Sequence, residues 1–219
     1  MSNQFFCSWS GGKDSALALY RALQQDLKPK KLLNMLNEKG ENSRSHNLPF
    51  SVLKAQAASL EIPLVTKRTS WNDYESVFIE TLKEFAEDGI KKGVFGDIDL
   101  EEHREWEEMV CRKANMTAYL PLWNQDREAL LYEFLNLGFK TMIVVVNEDY
   151  LDKKYLGKIV DKNLVIKFKE LGIDPSGENG EYHTVVLDGP IFKNKINVAK
   201  KEVVNNNNYW FQTIELINS

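Results

Sequence analysis

Apolar residues in this chain follow two rhythms. Short unbroken runs, such as Phe5-Phe6-Cys7, Leu32-Leu33 and Met142-Ile143-Val144-Val145-Val146, carry no charge. That is the pattern of strands buried on both faces. Between them apolar residues recur three and four apart: Ala16, Leu19, Tyr20 and Leu23; Phe78, Leu82 and Phe85; Trp106, Met109 and Val110; Leu130, Phe134 and Leu137. That spacing predicts amphipathic helices. Strands are expected near residues 5–9, 31–36, 62–65, 93–98, 118–123 and 141–146, each followed or preceded by a helix. The alternation implies an α/β fold, a parallel sheet with helices on both faces and right-handed crossovers. After residue 147 the rhythm changes. Helices are expected over 150–160 and 164–171, a strand over 181–187, and a β-hairpin from 196–204 and 209–217 about Asn205-Asn206-Asn207-Asn208. The expectation is two domains, 1–147 and a smaller α+β domain over 148–219.

The first strand runs into Ser10-Gly11-Gly12-Lys13-Asp14-Ser15, and the first helix follows at once. A helix start offers unpaired N–H groups and the positive end of a dipole. Two glycines let the backbone wrap an anion, Ser10 and Ser15 add hydroxyls, and Lys13 adds a fixed charge. The assembly suits a phosphate or pyrophosphate. The spacing is neither that of the P-loop nor that of the dinucleotide fingerprint. A Gly-Gly turn with Ser10 as a helix cap is the plainer reading, but a cap needs one polar residue and not Lys13 and Asp14 beside it. Asp14 either helps hold Mg²⁺ or simply favours the first helical turn. The string resembles the pyrophosphate loop of the N-type ATP pyrophosphatases, which cleave ATP between the α- and β-phosphates.

Composition narrows the class. The chain has 219 residues, 43% of them hydrophobic and 11% aromatic, enough for a packed core. A formal net charge of −4 argues against a protein that grips bulk nucleic acid by charge alone. Apolar runs are too short to span a membrane, and the early first strand leaves no room for a signal peptide. Cys7 and Cys111, far apart in sequence, give no disulfide scaffold, so a reducing cytoplasm is expected.

A second constellation is Gly177-Glu178-Asn179-Gly180-Glu181-Tyr182-His183-Thr184. Two carboxylates, an amide and an imidazole can bind Mg²⁺, position an amine or hold a carboxylate, although glycine with Glu and Asn is also ordinary loop composition. Gly96-Asp97 ends the fourth strand at the sheet edge where ligands bind. Asp97 can touch a nucleotide there or cap the next helix. His46 lies in a polar segment on the same rim. The charged run around His103 and Arg104 reads by default as a solvated helix start.

Taken together, these motifs, with Pro121-Leu122-Trp123 and Asp188-Gly189-Pro190, resemble the diphthine–ammonia ligase family, over almost the whole chain. Departures at Asp97, Glu102-His103 and Asn179 resemble a bacterial-type branch. The resemblance implies an adenine nucleotide α-hydrolase-like fold with a family-specific C-terminal domain. It implies an ATP-dependent amide ligase that adenylates a carboxylate, releases pyrophosphate and lets ammonia displace AMP. ATP would be held by Ser10, Gly11, Gly12, Lys13, Asp14, Ser15, His46, Gly96 and Asp97, with Mg²⁺ at Asp14. Lys13, Asp14, Glu178, Glu181 and His183 would serve catalysis, and Asn179, Gly180 and Thr184 the substrate. The acceptor would be a protein side-chain carboxylate or a small molecule, and a homodimer is left open. Two rival readings use the same loop: adenylation of a tRNA base, and ATP binding without turnover.

Overall fold

The apolar run at the start of the chain forms β1 (Gln4–Ser8), in which Phe5, Phe6 and Cys7 are fully buried. A computed structural model describes residues 3–217, so the outermost ends of both expected domain ranges lie outside it. Around β1 lie β2 (Lys28–Leu36), β3 (Leu64–Arg68), β4 (Lys92–Val94) and β5 (Thr117–Tyr119). They form one parallel sheet in the order β3-β2-β1-β4-β5. The helices are α1 (Lys13–Leu23), α2 (Phe50–Leu60), α3 (Tyr74–Glu87), α4 (Glu101–Lys113), α5 (Arg127–Asn136) and α6 (Lys162–Glu170). The α/β architecture is therefore the one the alternating rhythm implies.

The chain divides into two compact units. The first takes the residues up to Ser10, Asp14–Arg44 and Glu61–Gln125; the second takes Gly11–Lys13, Ser45–Leu60 and everything from Asp126 onward. In the first unit, Phe6 on β1 meets Phe78, Phe85 and Phe95 at ring-centroid distances of 6.4, 5.5 and 5.8 Å. Leu82, Val110 and Cys111 from α3 and α4 close the same core. The chain leaves β1 for β2 on one side, while β4 lies on the other. Such a reversal of strand order opens a crevice beyond the C-terminal strand ends. Ser10 leaves β1 at that point, and Gly96-Asp97 follow β4.

The second unit holds β6 (Lys140–Asn147), β7 (Tyr182–Asp188), β8 (Val198–Asn206) and β9 (Tyr209–Leu216), all antiparallel, in the order β7-β6-β9-β8. Its core joins Ile143 and Val146 to Tyr155, Val165, Phe168 and Tyr182. Two expectations need correction here. The strand over 141–146 is not a sixth strand of the parallel sheet; β6 is the second strand of this antiparallel one. An all-apolar run reports burial on two faces but not the direction of its partners. The helix expected over 150–160 is also absent. A single 3₁₀ turn, Lys153–Tyr155, is followed by Gly157 at φ +71°. Ile143 N then donates to Lys158 O at 2.9 Å and Val160 N to Thr141 O at 2.9 Å. The backbone groups that a helix would use thus bond to β6 instead. Among the described residues no helix is long and apolar enough to cross a membrane.

Candidate active site

Of the glycine-loop residues, Gly11–Lys13 belong to the second unit, and Ser10, Asp14 and Ser15 to the first. In the second unit Gly11 lies beside β7. Val186 N donates to Gly11 O at 2.9 Å. The fully buried Gln56 of α2 donates through Nε2 to Gly11 O at 3.0 Å and to Val186 O at 2.7 Å. Gly11 has φ +82°, and an added Cβ would stand 2.8 Å from the Gln56 and Leu48 side chains. Both backbone and space therefore demand glycine. At Gly12 a Cβ would fall 2.6 Å from Cε1 of His46, so the imidazole lies over this glycine.

Lys13 is held at both ends. Its backbone N donates to Thr184 Oγ1 at 3.1 Å, and its Nζ pairs with Glu178 Oε1 at 2.9 Å. The two charged side chains are only 8% and 17% exposed. Nδ1 of His46 donates to Thr184 O at 3.0 Å, and the His46 ring stacks on His183 with centroids 4.7 Å apart. Burial, His46 and Lys13 push the His183 pKa down to about 3, so its imidazole is neutral near neutral pH. Residues 165 and 171 positions apart in sequence thus meet at one lysine.

Glu181, 1% exposed, does different work. Its Oε1 accepts from Asp174 N at 3.2 Å and Asn179 Nδ2 at 3.1 Å, and its Oε2 from Asn179 N at 2.9 Å. The carboxylate folds the 174–179 loop that presents Glu178. Gly180, at φ +84°, completes the turn, and Asn179 Oδ1 also accepts from Arg127 at 2.9 Å.

In the first unit Ser10 Oγ donates to Ser15 Oγ at 3.1 Å across the loop. Asp14 lies in the first turn of α1. A Cβ on Gly96 would stand 2.8 Å from Asp14 C and Ser15 N, so the start of α1 rests directly on that glycine. Asp97, the next residue, accepts from His103 Nδ1 at 2.7 Å. It also hydrogen-bonds Glu107, one turn further along α4. Burial, then the contact with Asp97, pushes the Glu107 pKa up to about 11. Burial alone would raise Asp97 too, but hydrogen bonds from His103 and Glu107 outweigh it and hold that carboxyl below its usual range. Glu107 therefore carries the proton and Asp97 the charge.

Gln56 and Glu107 escaped the sequence reading. A signal existed for both. Gln56 follows Val52 and Leu53, and Glu107 precedes Val110 and Cys111, each a polar residue on the buried stripe of its helix. Among the described residues no three His, Cys, Asp or Glu side chains converge as a metal cage. Mg²⁺ usually needs only one or two carboxylates when phosphates supply its other oxygens; the acidic residue in the first turn of α1 is Asp14.

Residues 4–118 match the family model described as Diphthamide synthase N-terminal domain, and residues 126–218 match Diphthamide synthase C-terminal domain. A diphthine–ammonia ligase of Schizosaccharomyces pombe is 29% identical over 89% of this chain and 36% of its own length. The Homo sapiens diphthine–ammonia ligase is 33% identical over 72% of this chain and 60% of its own length. The chain thus spans between about a third and three-fifths of these relatives. A solved structure titled as a predicted subunit of tRNA methyltransferase from Methanocaldococcus jannaschii aligns over 85% of this chain and 98% of its own, with a TM-score of 0.47 and 15% identity. A likeness that loose carries no argument.

Proposed function

This chain belongs to the diphthamide synthase family, and on that footing we propose that it is an ATP-dependent amidoligase that adenylates a carboxylate and transfers the acyl group to ammonia. The observation that carries the reading is Lys13, a buried cation at the start of α1 with Glu178 and Thr184 gathered on it. An isolated capping turn would need neither the lysine nor the distant glutamate.

In the proposed reaction an acceptor carboxylate oxygen bonds to the α-phosphorus as the bond to pyrophosphate breaks. Lys13, the glycine backbone and the hydroxyls of Ser10 and Ser15 take up the charge on the departing diphosphate. Bound Mg²⁺ would neutralise phosphate oxygens; Asp14 is the side chain we assign to it. His46 borders Gly12 and so limits how a phosphate enters. Ammonia then attacks the acyl carbon, and AMP leaves with the oxygen. Glu178 sits beside the loop cation, where it can orient the incoming ammonium. Neutral His183 and Thr184 shape the substrate side, while Glu181, Asn179 and Gly180 keep the Glu178 loop in place.

The test is product analysis with ATP, ammonium and a panel of acceptors, from protein carboxylates to small acids. Ammonium-dependent AMP and pyrophosphate together with an amide product are expected. Release of ADP, or turnover indifferent to ammonium, rejects the scheme.

A further inference from the structure

In the first unit the chain doubles back after β2 and returns an arginine to the end of that strand. Asn37 N donates to Asn42 O at 2.9 Å, Leu36 and Ser43 form an antiparallel bridge, and Arg44 N donates to Met35 O at 2.9 Å. Gly40, at φ +75°, makes the turn. The Arg44 side chain is 7% exposed. Its Nη2 donates to the carbonyl of Thr69, just past β3, and lies 3.3 Å from Glu38 Oε1. Its Nε has no hydrogen-bond partner, and neither has the hydroxyl of Thr69, a residue 2% exposed. A buried donor without an acceptor is costly, and more so when it is charged. Here two such groups stand on residues already bonded to each other, at the carboxyl ends of β2 and β3. That is the edge on which parallel sheets take their ligands. Trp71 lies on the group. Its ring centroid is 4.9 Å from the guanidinium carbon and 5.8 Å from the Tyr74 ring. At 68% it is nonetheless the most exposed large hydrophobic side chain among the described residues. The loop that carries it is fixed: Thr69 N donates to Leu36 O at 3.1 Å, and Ser70 Oγ to Asp73 Oδ1 at 2.6 Å. An indole pinned by a cation and a phenol, with the rest of it in water, is a platform for stacking.

We propose that Arg44, Thr69 and Trp71 form a binding site for a carboxylate that carries a planar ring. Nε and Nη2 share one edge of the guanidinium, the edge that meets two carboxylate oxygens at once. One Nη2 hydrogen stays on Thr69 O, and the other exchanges Glu38 for the ligand. The Thr69 hydroxyl donates a third bond, and the ring of the ligand lies along Trp71. Glu38 is a carboxylate already drawn to this guanidinium, but its own side chain is largely exposed, so the pair is weak and readily exchanged. Nε is buried, so entry requires the indole to turn aside, and its exposure leaves it room to do so. The proposal concerns binding by the first unit and does not depend on the amidoligase reading.

The test is a titration of the full-length protein, labelled with nitrogen-15 at tryptophan and followed through the indole N–H signal of Trp71. Benzoate supplies the ring and the carboxylate together. Acetate lacks the ring, benzamide lacks the charge, and inorganic phosphate has the charge without the plane. Benzoate is expected to shift the signal saturably and to bind about tenfold more tightly than any of the other three. Arg44→Lys, which keeps the charge and loses the two-point edge, should weaken benzoate by about tenfold. Thr69→Val removes a hydroxyl that has no partner in the fold, so its urea midpoint should match or exceed that of the wild type while benzoate binds several-fold more weakly. Trp71→Ala, followed by calorimetry, should bring benzoate down to the affinity of acetate. Glu38→Gln, which removes the competing anion, should tighten benzoate a few-fold. Absence of a saturable shift with benzoate overturns the proposal, as does benzamide or phosphate binding as well as benzoate. Unchanged benzoate affinity in a folded Thr69→Val or Glu38→Gln variant overturns it too.

Discussion

At the scale of single residues, charge pairing around the loop sets opposite expectations for the two partners of one ion pair. Lys13→Ala removes a cation from the glycine turn and leaves Glu178 without that partner. Loss of a buried pair's partner costs about 3–5 kcal/mol, and partial exposure should bring this nearer 2. ATP affinity, by calorimetry, is expected to fall at least tenfold. Glu178→Gln removes the anion that contends with phosphate for Lys13. ATP should then bind a few-fold more tightly while AMP release slows. Equal affinity in the variant would show that phosphate and Glu178 do not compete.

Two buried titrations pull stability in opposite directions with pH. The folded chain keeps the Glu107 proton to about pH 11, whereas an unfolded one loses it near 4.5. The folded state therefore binds more protons in that window, and stability falls as pH rises through it. Glu107→Gln abolishes this dependence, so its urea midpoint should gain on the wild type between about pH 5 and about pH 9. His183 has the reverse sign. Its pKa of about 3, against an ordinary histidine value of 6.5, means that the unfolded chain takes up the proton first, and stability falls as pH drops below 6.5. His183→Asn should flatten the acid side of the same curve. The motif residues around Lys13 were legible because glycine, lysine and serine at that spacing have few other uses. Glu107 was not, because one polar residue on an apolar stripe does not declare its partner.

Among the elements, contact between β4's exit and the start of α1 is the most constrained. A Cβ on Gly96 would meet backbone atoms, which cannot swing aside as a side chain can. Gly96→Ala is expected to destabilise by about 1–3 kcal/mol, and to weaken ATP binding beyond that loss because Asp14 and Ser15 must shift. Normal affinity in a folded variant would separate the loop's function from this contact. Most elements could be read from periodicity: the stripe of Phe78, Leu82 and Phe85 falls within α3, observed over Tyr74–Glu87, and all three are buried there. The failures have local causes. Residues 150–160 carry helical spacing, but Gly157 at φ +71° and the bonds to β6 turn the segment into a strand-side strap. The β6 run was found, yet its partners come from residues 182–188 and 209–216, a pairing no local pattern encodes.

At the scale of the whole chain, the units are interleaved in sequence. The second unit takes its loop residues Gly11–Lys13 and all of α2 from the first half of the chain. Its dependence on α2 is specific. Gln56 ties Gly11 to Val186, Ser59 O accepts from Lys193 N at 2.9 Å, and Asn194 N donates to Ser59 Oγ at 2.9 Å. A cut at residue 125 would therefore strip the antiparallel sheet of buried hydrogen-bond partners and leave Val186 O and the backbone near Asn194 unsatisfied, at about 1–3 kcal/mol each. Against a stability of about 5–15 kcal/mol for a typical domain, several such losses are decisive. A fragment of residues 126–219 should show no dispersed amide spectrum and no cooperative urea transition by itself. Adding residues 1–125, which bring α2 back, should restore both. Should 126–219 fold cooperatively without them, α2 would be an accessory to that sheet and not part of its core, and the bonds from Gln56 and Ser59 would lose the weight placed on them.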